Sequence, residues 1–294
     1  MNPLGVWKTA RRDRAIRRAF GTSHPGRLTL PGSDCTLHVD PYDERARKIL
    51  LYAPLRGRRK PNQAFWRLAV RSFDPTLCAD VGLNYGECLL GTRYPEGCRG
   101  YGFEANGGLF PYLSKSHAGH AQKDRIELHE AAVSDVDGRE LSFVVDERWS
   151  GGSHLAAAGE AGNRTVTTVT LDSVLPRPDA GARVLFKVDV EGFEPAVLRG
   201  MDRTLGAAGS ALGFVEFDPA MMSERGADVA GYWDWLAARF ELFECKRVGE
   251  ARPLTAAAWP EAEAQIASRH FDLICFRGDA ALRDRLLSDW RAEA

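Results

Sequence analysis

A strand, a glycine turn and a second strand between residues 77 and 104 constrain this 294-residue chain more than any other stretch. Leu77-Cys78-Ala79-Asp80-Val81 is apolar except for one acid, and Gly82-Leu83-Asn84-Tyr85-Gly86 follows directly. A helical segment, then a strand over residues 99–103 ending at Glu104, completes a β-α-β unit. Two glycines let the backbone turn close to a ligand, and a second carboxylate about 20 residues on lies where a ribose presents its hydroxyls. This is the pattern of a nucleotide-binding sheet. The glycines are spaced G-x-x-x-G, however, and the G-x-G-x-x-G turn that holds a pyrophosphate is absent. An adenosyl ligand without a pyrophosphate fits better. S-adenosylmethionine is the natural candidate, its ammonium received near Asp80 and its ribose by Glu104. A nicotinamide-dependent oxidoreductase is disfavoured by the same spacing, and a non-catalytic adenosyl-ligand-binding module is the remaining alternative.

The composition, 44% hydrophobic, supports one large core. The expected division is a basic N-terminal extension over residues 1–74, with helical and short strand elements, and a ligand-binding domain over 75–294. No run resembles a signal peptide or approaches the roughly 20 apolar residues of a membrane helix, so a cytoplasmic protein without a membrane partner is expected. Six cysteines without a C-x-x-C pair read as buried free thiols. Residues 1–60 hold 14 Lys or Arg against 5 Asp or Glu, and the remainder 25 against 35. The two parts should attract. The basic arm, from Lys8, Arg11 and Arg12 to Arg56, Arg58, Arg59 and Lys60, would then dock on an acidic body, or receive an anionic metabolite. Nucleic acid is not expected, because no aromatic-basic interleaving accompanies the charge. A homo-oligomer is compatible with the sequence.

Along the chain, a helix is expected over residues 6–20, a loop over 21–32, a small strand over 35–39 and a helix over 44–51 broken by Pro54. Pro61 suits the first turn of a helix carrying Phe65, Trp66, Leu68, Ala69 and Val70, lying across the entrance to the sheet. Further on, a helix over 107–118 precedes a strand over 125–133 with a hairpin partner at 140–145. The glycine-rich segment 149–162 reads as a flexible loop near a site. A strand over 165–170, a capped turn, a strand over 183–190, a helix over 194–205, a strand over 211–217 and a helix over 229–240 follow. Closing strands are expected over 241–246 and 270–276. The alternation is that of an open α/β sheet flanked by helices.

Asp80-Val-Gly-Leu-Asn-Tyr-Gly86, Gly102-Phe-Glu104, Ala131-Ala-Val-Ser-Asp135 with Gly138, Thr170-Leu-Asp-Ser173, Lys187-Val-Asp-Val-Glu-Gly-Phe-Glu194 and Glu216 together resemble the FkbM-type methyltransferase family, over roughly residues 77–218. The resemblance implies an α/β class I methyltransferase-like (Rossmann-like) fold: a seven-stranded sheet with helices on both faces and the last strand antiparallel. It also implies S-adenosylmethionine as cofactor and a hydroxyl on a sugar, glycoside or other secondary metabolite as methyl acceptor. Asp80, Gly82, Asn84, Tyr85, Gly86, Glu104, Ala105, Ala132 and Ser134 then become the expected cofactor-binding residues. Leu83 departs from the small residue usual after the first glycine and would crowd the loop.

A hydroxyl acceptor gains from a general base. Asp189 and Glu191 at one strand end and Glu216 at the next would converge beyond the carboxyl ends of the strands, with His154 entering from the loop. The expected proton acceptor is His154 or Asp189, with Glu191 beside them. Lys187, on the same face as Asp189 because strand side chains alternate, reads as a structural partner. Asp189, Glu191 and Glu216 would also hold Mg²⁺, although no spacing demands it.

Overall fold

The computed structural model describes residues 3–56, 60–157, 159–255, 259, 261, 263 and 270–294. The chain opens with α1 (Pro3–Phe20), β1 (Arg27–Thr29) and β2 (Thr36–His38), then α2 (Glu44–Arg56) and α3 (Pro61–Ser72). β1 lies inside the expected loop and pairs antiparallel with β2. α2 continues past Pro54, where a break was expected. α3 begins at Pro61, whose missing N–H costs nothing in a first turn, and buries the predicted stripe from Phe65 to Val70. Phe65 meets Trp290 edge-on at 5.3 Å, so α3 stands between the sheet and the C-terminal helix.

The first half of the main sheet is β3 (Leu77–Val81), β4 (Arg99–Glu104) and β5 (Ile126–Glu130), with α4 (Phe110–Ala118) after β4. Turns, not a regular helix, join β3 to β4; Leu90 N–H donates to Gly86 O at 2.8 Å. The expected strand over 125–133 is interrupted: β6 (Ala132–Val133) belongs to a second sheet with β7 (Glu140–Val144), β8 (His154–Leu155) and β9 (Arg164–Val169). The predicted hairpin is therefore not formed. β9 lies between β6 and β7, pairing parallel with the first and antiparallel with the second.

The rest follows as α5 (Leu171–Val174), β10 (Arg183–Val188), α6 (Glu194–Arg199), α7 (Asp202–Ala207), β11 (Ser210–Phe217), α8 (Pro219–Glu224), α9 (Val229–Ala237), β12 (Glu241–Cys245), β13 (Arg252–Leu254), β14 (Phe271–Arg277) and α10 (Ala280–Arg291). The single helix expected over 194–205 is split at Gly200, where a Cβ would lie 2.0 Å from Ser134 O. The main sheet has the order β13-β12-β14-β11-β10-β3-β4-β5, eight strands among the described residues where seven were expected. β13 is the addition. β14, the last strand, runs antiparallel to both neighbours as expected.

Strand alternation sends Cys78, Leu185, Leu212, Phe214 and Ile274 to one face, into a core shared with α2, α3 and α10. Ala79, Val184, Phe186, Val188 and Val215 pack on the other face against α6, α7 and α9. The N-terminal extension thus shares a core with the sheet. Its charges pair partly among themselves, Arg12 with Glu44 and Arg47 with Asp13, and partly across to the body, Arg45 with Glu87 and Arg93 with Asp34. Arg58 and Arg59 lie outside the described residues. All six cysteines are free and buried, and no described helix is long and apolar enough to cross a membrane.

Candidate active site

The parallel register sets Asp80 beside Lys187 on adjacent strands. Both side chains point to the face covered by the N-terminal extension, and both are buried. Lys187 Nζ lies 3.3 Å from Asp80 Oδ1 and 3.5 Å from Asp189 Oδ2, and donates to Gly82 O at 3.0 Å. Burial works to lower the Lys187 pKa, but Asp189 and Asp80 outweigh it and hold the ammonium charged. Burial lifts Asp80 to about 6 against the pull of Lys187. Asp80 Oδ2 accepts from Leu89 N–H at 3.1 Å. Asp80 thus anchors the turn that follows it, while its Oδ1, beside Lys187, makes no hydrogen bond among the described residues, and the residue lines the cavity.

The glycine turn crosses the end of β10. Gly82 has φ 76°, and a Cβ there would lie 1.8 Å from Asp189 O. Asn84, at φ 49°, donates its N–H to Glu104 Oε2 at 2.8 Å, while Glu104 Oε1 accepts from Asn106 N–H. Each carboxylate oxygen keeps acceptor capacity toward a cavity of about 360 Å³ lined by Gly82, Asn84, Glu104, Ala105 and Ala132, all expected from the sequence. Leu83 does not crowd the loop. A Cβ at Gly102 on the neighbouring strand would sit 2.9 Å from Leu83 Cδ2, so one glycine makes room for the leucine.

Three expected cofactor residues are not on this wall. Tyr85 is fully buried and donates its hydroxyl to Asp43 Oδ2 at 2.7 Å. Gly86 is a turn position at φ 78°, packed against Leu90. Ser134 is buried with its hydroxyl on Asp135 Oδ1, because the chain after β6 turns away beneath Gly200.

The N-terminal extension supplies the opposite wall. Asp43 accepts from Ser150 N–H at 3.1 Å and from its hydroxyl at 2.5 Å, and Ser150 Oγ accepts from Asn84 Nδ2 at 3.2 Å. Lys48 stacks on Trp149. The expected loop is therefore tied to α2 and to the glycine turn, and it carries a short 3₁₀ turn, Ser150–Gly152. Arg45 and Lys60 also face the cavity. His154 reaches the wall with Nδ1 2.7 Å from Gly152 O and Nε2 3.1 Å from Glu160 Oε1. Both ring nitrogens are thus engaged by the protein, one by a backbone carbonyl and one by a carboxylate.

Beyond the ends of β10 and β11, carboxylates crowd together. Single oxygens of Asp189, Glu191 and Glu216 lie within 4.8 Å of one another. Burial pushes Asp189 up, yet Lys187, then Arg45 and Lys60, pull it below the usual carboxylate value. Burial and then Asp189 raise Glu191 to about 8. The same two causes lift Glu216, and lift Asp272 to about 7, while burial raises Glu194 to about 7. Glu191 occupies the left-handed backbone region at φ 57°, a strain that a non-glycine residue tolerates where surrounding structure enforces it. His270 lies 3.5 Å from both Glu216 and Asp218. His270 and Asp272 were missed in the sequence, although an antiparallel last strand brings its own start to the carboxyl ends of the parallel strands. Arg45 and Lys60 left only one trace there, the charge asymmetry.

Residues 80–246 match the model of the methyltransferase FkbM domain, more than half of the chain. The chain belongs to the FkbM methyltransferase family. It is an S-adenosylmethionine-dependent methyltransferase with a class I methyltransferase fold. Among solved structures, this FkbM methyltransferase is similar to methyltransferase FkbM from Methylobacillus flagellatus KT, at 11% identity and a TM-score of 0.41, over 92% of this chain and 60% of that one. It is similar to O-methyltransferase TomG from Streptomyces achromogenes, involved in tomaymycin synthesis and solved with SAM, at 12% identity and 0.41, over 77% and 84%. The O-methyltransferase from Bacillus cereus in complex with SAH matches at 11% and 0.38, over 73% and 80%. No curated protein matches the FkbM chain.

Proposed function

We propose that this FkbM methyltransferase methylates a hydroxyl of a small-molecule acceptor, a sugar, glycoside or other secondary metabolite. The observation that carries the reading is the junction, in one cavity, of the Gly82–Glu104 cradle with ionisable carboxylates at the next strand ends. S-adenosylmethionine, when bound, supplies an electrophilic methyl group; the protein's work is positioning and proton transfer. The turn at Gly82 and Asn84 admits the ligand to the strand ends, Glu104 accepts from the ribose hydroxyls, and Ala105 and Ala132 leave room for the flat base.

An alcohol attacks poorly while protonated, and the best-suited proton acceptor is Glu191. A base works best with a pKa near the working pH, and Glu191 lies at about 8. Asp189, held below the usual value by Lys187, is a weaker base, and His154 has both ring nitrogens engaged by Gly152 O and Glu160. With the donor bound, Glu191 would hold and take the hydroxyl proton of the acceptor, whose oxygen would receive the methyl group as that group leaves the sulfur.

A second reading rests on the oxygens of Asp189, Glu191 and Glu216, close enough to share one cation, with Glu216 Oε2 buried and without a hydrogen-bond partner. They would hold Mg²⁺, which when bound orients and acidifies a vicinal diol. The test is incubation with methyl-tritiated S-adenosylmethionine and a panel of polyols, glycosides, phenols, amines and thiols, with and without EDTA. Alkali-stable ether label that survives EDTA is expected for the Glu191 route. Loss with EDTA and recovery with Mg²⁺ supports the metal. Label confined to amine or thiol acceptors contradicts O-methylation.

A further inference from the structure

The cationic side of the cavity holds two donors that the protein does not use. Arg45 is clamped, its Nη2 2.8 Å from Glu87 Oε1 and its stem beneath Gly151, where a Cβ would sit 3.0 Å from Arg45 Cδ. Its other terminal nitrogen, Nη1, is buried without a hydrogen-bond partner. Lys60, immediately before α3, lines the same cavity, and its ammonium has no ion pair or hydrogen bond among the described residues. Burial, and then the charge of Arg45, push the Lys60 pKa down to about 8, outweighing the pull of Glu87 and Asp189. Asp189 lies within electrostatic reach of both cations and is partly exposed.

We infer that Arg45 and Lys60 receive the α-carboxylate at the methionyl end of S-adenosylmethionine, with Asp189 facing its ammonium. The inference rests on the donor assigned above. An α-amino acid presents opposite charges on one carbon, and this wall presents the complementary pair beside the glycine turn. A carboxylate on the acceptor is the other source of the same chemistry, but on the acceptor's side a further anion would add to the carboxylate crowding that already raises Glu191 and Glu216. The N-terminal extension, outside the strand-turn-strand unit that cradles the adenosyl group, thereby completes the donor site.

The test is calorimetric titration of S-adenosylhomocysteine and of its decarboxylated analogue, which keeps the ammonium, into the full chain and into Lys60→Gln and Lys60→Arg. The wild type should bind the decarboxylated analogue about ten- to a hundred-fold more weakly, the range for a charged hydrogen bond. Lys60→Gln should lose most of that discrimination and Lys60→Arg should retain it. Wild type that binds both ligands equally, or a Lys60→Gln protein that discriminates as well as wild type, overturns the inference and assigns the cations to the acceptor. Wild type that binds neither ligand overturns the donor assignment itself. Because the ligand carries the decisive deletion, wild type alone decides the matter if a variant fails to fold.

Discussion

Glu191 combines three properties that suit the base proposed for this site: strained backbone, partial burial and a pKa near 8 beside Asp189. Its conjugate base forms as pH rises through about 8, so kcat under saturating substrates should rise with pH and level off above that value. Glu191→Gln should remove the rise and lower kcat by roughly 10²–10⁴-fold, with S-adenosylhomocysteine affinity unchanged. A pH profile of the variant that matches wild type would return the role to Asp189 or to a metal. Gly82 tests a different property. Its Cβ would collide with Asp189 O, the protein's own backbone, before it met any ligand. The left-handed φ alone costs about 1–3 kcal/mol in a non-glycine residue. Gly82→Ala should therefore lower Tm by roughly 5 °C or more as well as weaken cofactor binding. A variant as stable as wild type that has lost only binding would contradict this account.

At the scale of elements, the segment from Arg148 to Ser153 is held by α2 more than by its own sequence. Glu44 N–H donates to Arg148 O at 2.9 Å, and Asp43 receives both Ser150 and Tyr85. Asp43→Ala leaves these donors without their acceptor, at about 1–3 kcal/mol for each buried group left unpaired. Hydrogen exchange should then accelerate at residues 148–153 while β3, β10 and β11 stay protected; unchanged exchange in the segment would rule out the tether. The central strands were readable in the sequence because each buries both faces and shows as an apolar run, and the Pro61 start of α3 because proline has one favoured place in a helix. Glu104 was readable on the cavity wall from its spacing after the glycine turn, and Asn84 and Ala132 from the family resemblance. The second sheet was not. Residues 126–133 look continuous, and only the distant strand Arg164–Val169 decides that β6 leaves the main sheet and takes Ser134 off the cavity wall. Tyr85 was misplaced for the same reason: its partner, Asp43, is 42 residues away. Arg45, Lys60 and His270 carry no local pattern; the fold alone assembles them.

For the whole molecule, the carboxylate cluster makes stability depend on pH. Glu194 and Asp272, each raised to about 7, and Glu191, raised to about 8, bind protons in the folded state that the unfolded chain has already released. A raised folded pKa means stability that is lost as pH rises through it. His38, His120 and His129, whose pKa values burial lowers, oppose this by gaining stability as pH rises, but that gain is complete near pH 6.5. Tm should therefore fall between about pH 6.5 and 8, and the fall should shrink in Glu191→Gln. A flat or rising Tm over that window would contradict the assigned protonation of the cluster.

In the proposed donor site, the turn at Gly82 and the carboxylate of Glu104 cradle an adenosyl ligand without a pyrophosphate. Calorimetric titration of S-adenosylhomocysteine and of NAD into wild type and into folded Glu104→Ala tests it most directly. Saturable binding of S-adenosylhomocysteine is predicted for wild type, weakened by about 1.5–3 kcal/mol in the variant, with no heat from NAD. Binding of NAD with none of S-adenosylhomocysteine, or equal affinity of the two proteins for S-adenosylhomocysteine, would contradict it.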